Sequence, residues 1–183
     1  IINDMDMPLI IKVASIPKER MQVYFIDNDE YFKRKAIFSD EDDQLFSDND
    51  ERAIFFAKGV VETVKKLNWA PDIIHVHGWM ASLLPLYIKE YYSDEPLFSE
   101  SKIITSVYNK DFEGELNKDL AEKIKFDKIS DDKIQVLQEP NYTNIIKSAV
   151  SNSDAIVQGS QEIPKEISEE IEKTDIPALT YQE

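Results

Sequence analysis

Apolar residues fall in short β-branched runs near the start of the chain and shift to helical spacing after residue 48. Residues 8–16 (PLIIKVASI) and Met21–Asp27 (MQVYFID), separated by Pro17-Lys18-Glu19-Arg20, predict two strands joined by a short turn. A short helix is expected over 29–34. Residues 40–51 form the most acidic window. They lack the glycine and the ligand spacing of a calcium loop, so a solvated acidic loop is expected there.

A helix capped by Ser47 or Asp48 and running to about Leu67 follows, with Phe56, Val60, Val64 and Leu67 on one stripe and Ile54 and Val61 broadening it. Residues 72–76 (DIIHV) read as a parallel strand buried on both faces. His77-Gly78-Trp79 then turns into a helix over 80–92, with Leu83, Leu84, Tyr87, Ile88 and Tyr91 inward. Downstream, the pattern predicts a strand at Lys102–Val107, a helix over 116–123 and a short strand at 133–137. A helix over 141–150, a strand over 154–158 and a closing helix over 160–172 complete the series, and 174–183 shows no period. Strands alternating with helices mean an α/β domain, Rossmann-like and doubly wound on a mainly parallel sheet, with a β-hairpin near the N-terminus. Ligands of such folds bind at the carboxyl ends of the strands.

Composition narrows the function. The 183 residues suffice for one domain, 1–183, and 42% are hydrophobic, enough to bury a core. A net charge of −15 argues against nucleic acid, which needs a basic face, and against an anionic membrane surface. No apolar stretch reaches the ~20 residues that span a bilayer. The absence of cysteine removes disulfides and thiolate chemistry and fits a reducing cytoplasm. The start Ile1-Ile2-Asn3 has no methionine and reads as cut from something longer, so an N-terminal strand or loop is expected to be missing.

Both histidines, His75 and His77, lie two apart on the 72–76 strand or just past it and so share a side. A metal would need a third ligand, and none is placed by the sequence, so no metal and no cofactor are expected. At the next strand end, Tyr108 and Asn109 offer a ring and an amide to a sugar, or simply close a loop. Ser106 lacks a nucleophile-elbow setting, which disfavours hydrolase chemistry. No G-x-G-x-x-G or Walker pattern occurs. Trp69 and Trp79 read first as packing residues.

Residues 70–86 read APDIIHVHGWMASLLPL, which resembles the PDIIHxHDWHxxLxPxYL motif of the glycogen and starch synthase family. Residues 48–56 (DNDERAIFF) resemble its D-N-x-x-R-F-x-x-F helix start, and Phe25-Ile26-Asp27-Asn28 with Tyr31-Phe32-Lys33-Arg34 its FIDN…YFxR segment. Residues 105–114 resemble T-x-H-N-x-x-Y-x-G, residues 144–147 the L-K-x-G segment, and 153–160 the A-D-x-x-x-x-V-S segment. The matches run in order from about residue 21 to 170 and suggest a glycogen synthase–like protein of the Bacteroidetes type.

That resemblance implies a GT-B fold, two Rossmann-like domains around a cleft, of which this chain would be the N-terminal one, with the second domain absent. It implies metal-free, retaining glucosyl transfer from ADP-glucose or UDP-glucose to an α-1,4-glucan. Departures from the motifs stand at Phe38 (the family's tyrosine), Gly78 (its aspartate), Met80 (a histidine) and Tyr108 (the histidine that contacts the transferred glucose). The K-x-G-G-L loop and the cationic diphosphate clamp are not among these residues. No catalytic position of the family set is therefore intact, and His75, His77, Trp79 and Asn109 remain as expected substrate-binding residues. The expectation is a degenerate, inactive transferase domain. A non-catalytic glucan- or nucleotide-sugar-binding or regulatory domain is the alternative, and an unrelated α/β protein such as a hydrolase is a third. The exposed interdomain face predicts a homo-oligomer.

Overall fold

The computed structural model describes residue 2 and residues 4–182. Strands β1 (Ile10–Ile16) and β2 (Met21–Asp27) form an antiparallel hairpin in register from Ile16↔Met21 to Ile10↔Asp27. Pro17 opens the turn and Arg20 closes it in the left-handed region at φ 52°. Asn28 starts α1 (Asp29–Phe32) by accepting the Tyr31 N–H at 3.0 Å, a standard N-cap.

Helix α2 (Asn49–Leu67) carries acids in its first turn and Lys65 and Lys66 in its last, matching the dipole, and ends at Asn68 with φ 50°. Its deepest line is Asp50, Ala53, Ile54, Ala57 and Val61. Of the expected stripe, Ile54 and Val61 are buried, Phe56, Val60 and Val64 are half-buried, and Leu67 is exposed. On the opposite side a Cβ at Gly59 would lie 2.7 Å from Ile26, so β2 approaches the backbone of α2 closely and the helix is packed there as well. The acidic window divides in the same way: Asp40 to Asp43 are solvated, whereas Asn49 and Asp50 are fully buried.

Strands β3 (Ile73–His77), β4 (Lys102–Val107), β5 (Ala155–Gln158) and β6 (Ala178–Leu179) make a wholly parallel sheet in the order β3-β4-β5-β6. Because each strand follows its neighbour in sequence, right-handed crossovers carry the connecting helices to one face. Val76, Ile103, Thr105 and Ile156 point to that face and are buried. β3 is an edge strand among the described residues, and its alternating burial, with Val76 buried and Ile73, His75 and His77 exposed, shows that the expectation of burial on both faces does not hold. Ile73, His75 and His77 alternate onto its open side.

The expected helix over 80–92 is broken into a 3-10 turn at Trp79–Ala81, a short α3 (Leu84–Leu86) and a π turn at Tyr87–Tyr91. Pro85 removes a donor from the first turn. The wide turn, closed by Tyr92 N–H on the Tyr87 carbonyl at 2.9 Å, rotates Tyr91 outward and Tyr92 inward. α4 (Leu120–Phe126) starts later than expected, with Leu116 buried ahead of it. The segment read as a strand at 133–137 is helical, α5 (Asp131–Ile134) followed by a 3-10 turn at Gln135–Gln138. Ile134 and Leu137, three apart, are both buried on one side, which only helical spacing permits. α6 (Tyr142–Ser151) falls where expected, and α7 (Lys165–Lys173) begins only after Pro164. The unpatterned tail supplies β6, paired Ile156↔Ala178 and Val157↔Leu179.

Candidate sugar site at the ends of β3 and β4

The parallel register Val76↔Thr105 and His77↔Ser106 brings the end of β3 beside the end of β4 on the open face. His75 Nε2 lies 2.8 Å from Ser106 Oγ, and His77 Nδ1 lies 2.7 Å from the Tyr108 hydroxyl. The two imidazoles stand 4.1 Å apart, centroid to centroid, and His77 and Tyr108 6.1 Å apart. Burial against the sheet and the neighbouring His77 both lower the pKa of His75, so a second positive charge in this pair is disfavoured. Three groups named from the sequence, His75, His77 and Tyr108, thus meet at the ends of β3 and β4, and Asn109 follows Tyr108 in the chain.

The Tyr108–Asn109 turn is held from several directions. The Tyr142 hydroxyl donates to the carbonyls of Tyr108 at 3.2 Å and Asn109 at 2.9 Å. Burial, with the Asp111 carboxylate nearby, raises the Tyr142 pKa, so this donor keeps its proton. Asn109 N–H donates to Ser160 Oγ at 3.2 Å, and the Asn109 side-chain oxygen accepts from Lys110 N–H at 2.8 Å. Asn109 is exposed and its amide nitrogen is directed by none of these bonds.

Trp79 differs from the expectation of a ligand contact. It is 1% exposed, with Phe38 and Phe112 rings at 4.8 and 5.1 Å, so it forms the floor under the site and presents no face to a ligand. Gly78 has φ 75° and open space where a side chain would stand. The substituted positions Phe38 and Met80 line one largely apolar cavity of about 490 Å³, with Phe32, Phe56, Ile37 and Arg52.

Sequence reasoning passed over three contributors. Ser106 pairs with His75 through strand register, which spacing along the chain does not reveal. Tyr142 comes from a helix remote in sequence. Arg52, 3% exposed, donates to Asn49 Oδ1 at 2.6 Å, while Asn49 Nδ2 donates to the Phe38 carbonyl at 2.8 Å. That relay fixes the loop whose Phe38 covers Trp79. Its visible signal was the D-N-x-x-R spacing, which puts Asn49 and Arg52 one helical turn apart. Among the described residues no three His, Asp or Glu side chains gather as a metal site would require, and no helix is long and apolar enough to cross a membrane.

An α/β sheet with polar groups gathered at its strand ends is the arrangement in which such folds hold their ligands. The catalytic domain of starch synthase IV from Arabidopsis thaliana, bound to ADP and acarbose, shares this fold with a TM-score of 0.62 at 18% identity, over 84% of this chain and 30% of that one. The family profile described as the starch synthase catalytic domain matches residues 2–177, and the chain belongs to that family. It is 33% identical over its whole length to a glycogen synthase from Chlorobium luteolum, spanning 37% of that protein. Over 55% of the chain it is 43% identical to a glycogen synthase from Chlorobium limicola, spanning 21% of that protein. The chain thus spans little more than a third of the curated relatives it matches. Both named relatives are from Chlorobium, so the comparisons show the family and not a Bacteroidetes type.

Proposed function

We propose that this chain forms the sugar-binding wall of a glycogen or starch synthase cleft and that, by itself, it binds without transferring. The observation that carries the reading is the cluster of His75, His77 and Tyr108, with Asn109 next in the chain, at the carboxyl ends of β3 and β4, where α/β folds place their ligands. The family reaction is glucosyl transfer from ADP-glucose or UDP-glucose to an α-1,4-glucan, without a metal. A related starch synthase bound to ADP and acarbose supports nucleotide and glucan as the ligand classes.

The chemistry of the individual positions supports binding over turnover. Imidazoles and an amide can donate hydrogen bonds to and accept them from sugar hydroxyls. Gly78 offers no side-chain acceptor and Phe38 no hydroxyl, so hydrogen bonds that would strengthen in a glucosyl transition state are lacking there. Missing donors or acceptors of this kind reduce rates by about 10²–10³ each. A departing diphosphate needs cationic groups, and none of these four residues supplies a fixed positive charge. In this reading the domain works in a reducing cytoplasm, and the open side of β3 is its contact face toward a second domain or a second copy.

Calorimetric titration with ADP-glucose, UDP-glucose and maltooligosaccharides tests binding, and radiolabelled glucosyl transfer tests turnover. Binding of at least one ligand with no transfer is expected. Transfer by the 183-residue chain alone, abolished by His75→Ala or Asn109→Ala, would overturn the non-transferring reading, and absence of all binding would overturn the sugar site.

A further inference from the structure

Tyr108 is matched to its surroundings in a way that a drifting substitution is not. It lies two residues beyond Ser106, and Gly159 lies two residues beyond Val157 on the neighbouring strand, so both stand on the same face. A Cβ on Gly159 would fall 2.9 Å from both Cδ1 and Cζ of the Tyr108 ring and closer still to Cε1. The obstacle is the middle of a rigid ring, not a flexible tip, so any residue but glycine displaces Tyr108.

Backbone geometry does not demand that glycine. The glycines with positive φ are Gly78 and Gly114, and Gly159 is not one of them. Its N–H donates to the Val107 carbonyl at 2.8 Å, in the ordinary manner of a continuing parallel strand. Space for the ring is therefore the reason for Gly159. In the A-D-x-x-x-x-V-S motif that residues 153–160 resemble, this place holds a valine, and in T-x-H-N the place of Tyr108 holds a histidine. A larger ring at one position thus meets a smaller residue at the other. The ring's far end is engaged as well: its hydroxyl meets His77 Nδ1 at 2.7 Å, while Tyr142 holds the Tyr108 carbonyl.

We propose that Tyr108 is a specificity-determining residue, seated on Gly159 and braced by His77, whose phenol oxygen meets a sugar hydroxyl at the mouth of the site. The proposal rests on the sugar-binding reading above and adds which residue selects the sugar and how. A phenol oxygen has one proton and two acceptor positions. The single bond to His77 uses one of these in either histidine tautomer and leaves hydrogen-bonding capacity for a ligand. Because a phenol reaches farther than an imidazole, the site takes its sugar hydroxyl farther from β4 than a histidine would. The substitution re-specifies the site, and Gly159 is its structural counterpart.

Two measurements on the 183-residue chain test this. The seat is read by a double-mutant cycle in thermal stability. Gly159→Ala is expected to lower Tm by about 5 °C in the native background, and to lower it far less beside Tyr108→Ala. An equal loss in both backgrounds overturns the coupling. The contact is read by titration with maltotriose and ADP-glucose. Tyr108→Phe keeps the ring and its seat, yet is expected to weaken the binding ligand by about 5–10-fold. Unchanged affinity in Tyr108→Phe overturns the contact while leaving the sugar site standing. If the native chain binds neither ligand, the contact and the sugar-binding reading fall together, and the stability cycle still decides whether Gly159 exists for the ring.

Discussion

Replacing Lys123 with methionine would strand a buried carboxylate. Lys123 reaches from α4 into the first turn of α2, with its Nζ 2.6 Å from Asp50 Oδ2 and 2.8 Å from Glu51 Oε1. Asp50 has no exposed surface, and its second oxygen makes no hydrogen bond. Burial already raises the Asp50 pKa above its ordinary 3.8, and the Lys123 ammonium is the main influence pulling it back. Without the ammonium, Asp50 folds either as an unpaired buried anion or as the neutral acid. The second route limits the loss: protonating a carboxyl of pKa 3.8 costs about 1.36 × (7 − 3.8), or ~4 kcal/mol, at pH 7. At pH 5 the same limit is about 1.6 kcal/mol. The cap at pH 7 lies within the ~3–5 kcal/mol of a broken buried pair.

The sign follows from linkage. With its folded pKa raised, Asp50 holds a proton in the folded state that the unfolded chain gives up, so the variant loses stability as pH rises from near 4 toward that raised value. Urea denaturation followed by fluorescence at pH 5, 6 and 7 measures the difference from the native chain. Lys123→Met is expected to cost ~3–4 kcal/mol at pH 7 and under ~2 kcal/mol at pH 5, with Asp50→Asn restoring most of the loss. A difference that is flat across this range, or below about 1 kcal/mol at pH 7, would refute the claim that Asp50 is a buried charge held by one lysine.

Asn49→Ala removes both ends of the Arg52–Asn49–Phe38 relay and leaves a buried guanidinium short of an acceptor; a loss of about 2–3 kcal/mol in urea midpoint analysis is expected, with altered emission from Trp79 under Phe38. Tyr142→Phe deletes the hydroxyl that serves two carbonyls, and about 1–2 kcal/mol should be lost with weaker sugar binding by calorimetry, since the Tyr108–Asn109 turn loosens. For His75 the folded pKa is depressed below 6.5, so its contribution is complete above that pH and declines as pH falls through the lowered value. Native stability should therefore drop between about pH 6.5 and 5 more steeply than in His75→Gln; parallel curves would count against the crowded imidazole pair. Light scattering across concentration should show self-association, which Ile73→Glu on the open face of β3 should reduce, whereas a monomer at all concentrations would remove that face as an interface.

Elements whose causes are local were legible in the chain itself. The hairpin followed from two β-branched runs around Pro17, α6 from the stretch over 141–150, and β4 and β5 from apolar runs bounded by polar ones. Motif order pointed to the family and to the β3 and β4 ends, because side-chain types at short spacing are what such motifs record. The site was legible only as a set of candidates: His75, His77, Tyr108 and Asn109 were named from their strand-end positions, but nothing along the chain joined them.

Tertiary structure decided what depends on contact between distant segments. The close approach of β2 to α2 was set by Gly59 against Ile26, a steric fit that a hydrophobic stripe does not encode. The 133–137 segment became helical because Ile134 and Leu137 found a common apolar wall, and the unpatterned tail became β6 because β5 offered it an open edge. Trp79 moved from candidate ligand contact to enclosed floor once Phe38 and Phe112 closed on it. Ser106 met His75, and Gly159 met Tyr108, through sheet register, which places residues tens of positions apart side by side. Periodicity and turn chemistry act within a few residues and can be read in order. Register, close packing and the pairing of buried groups arise only when the chain has folded back on itself.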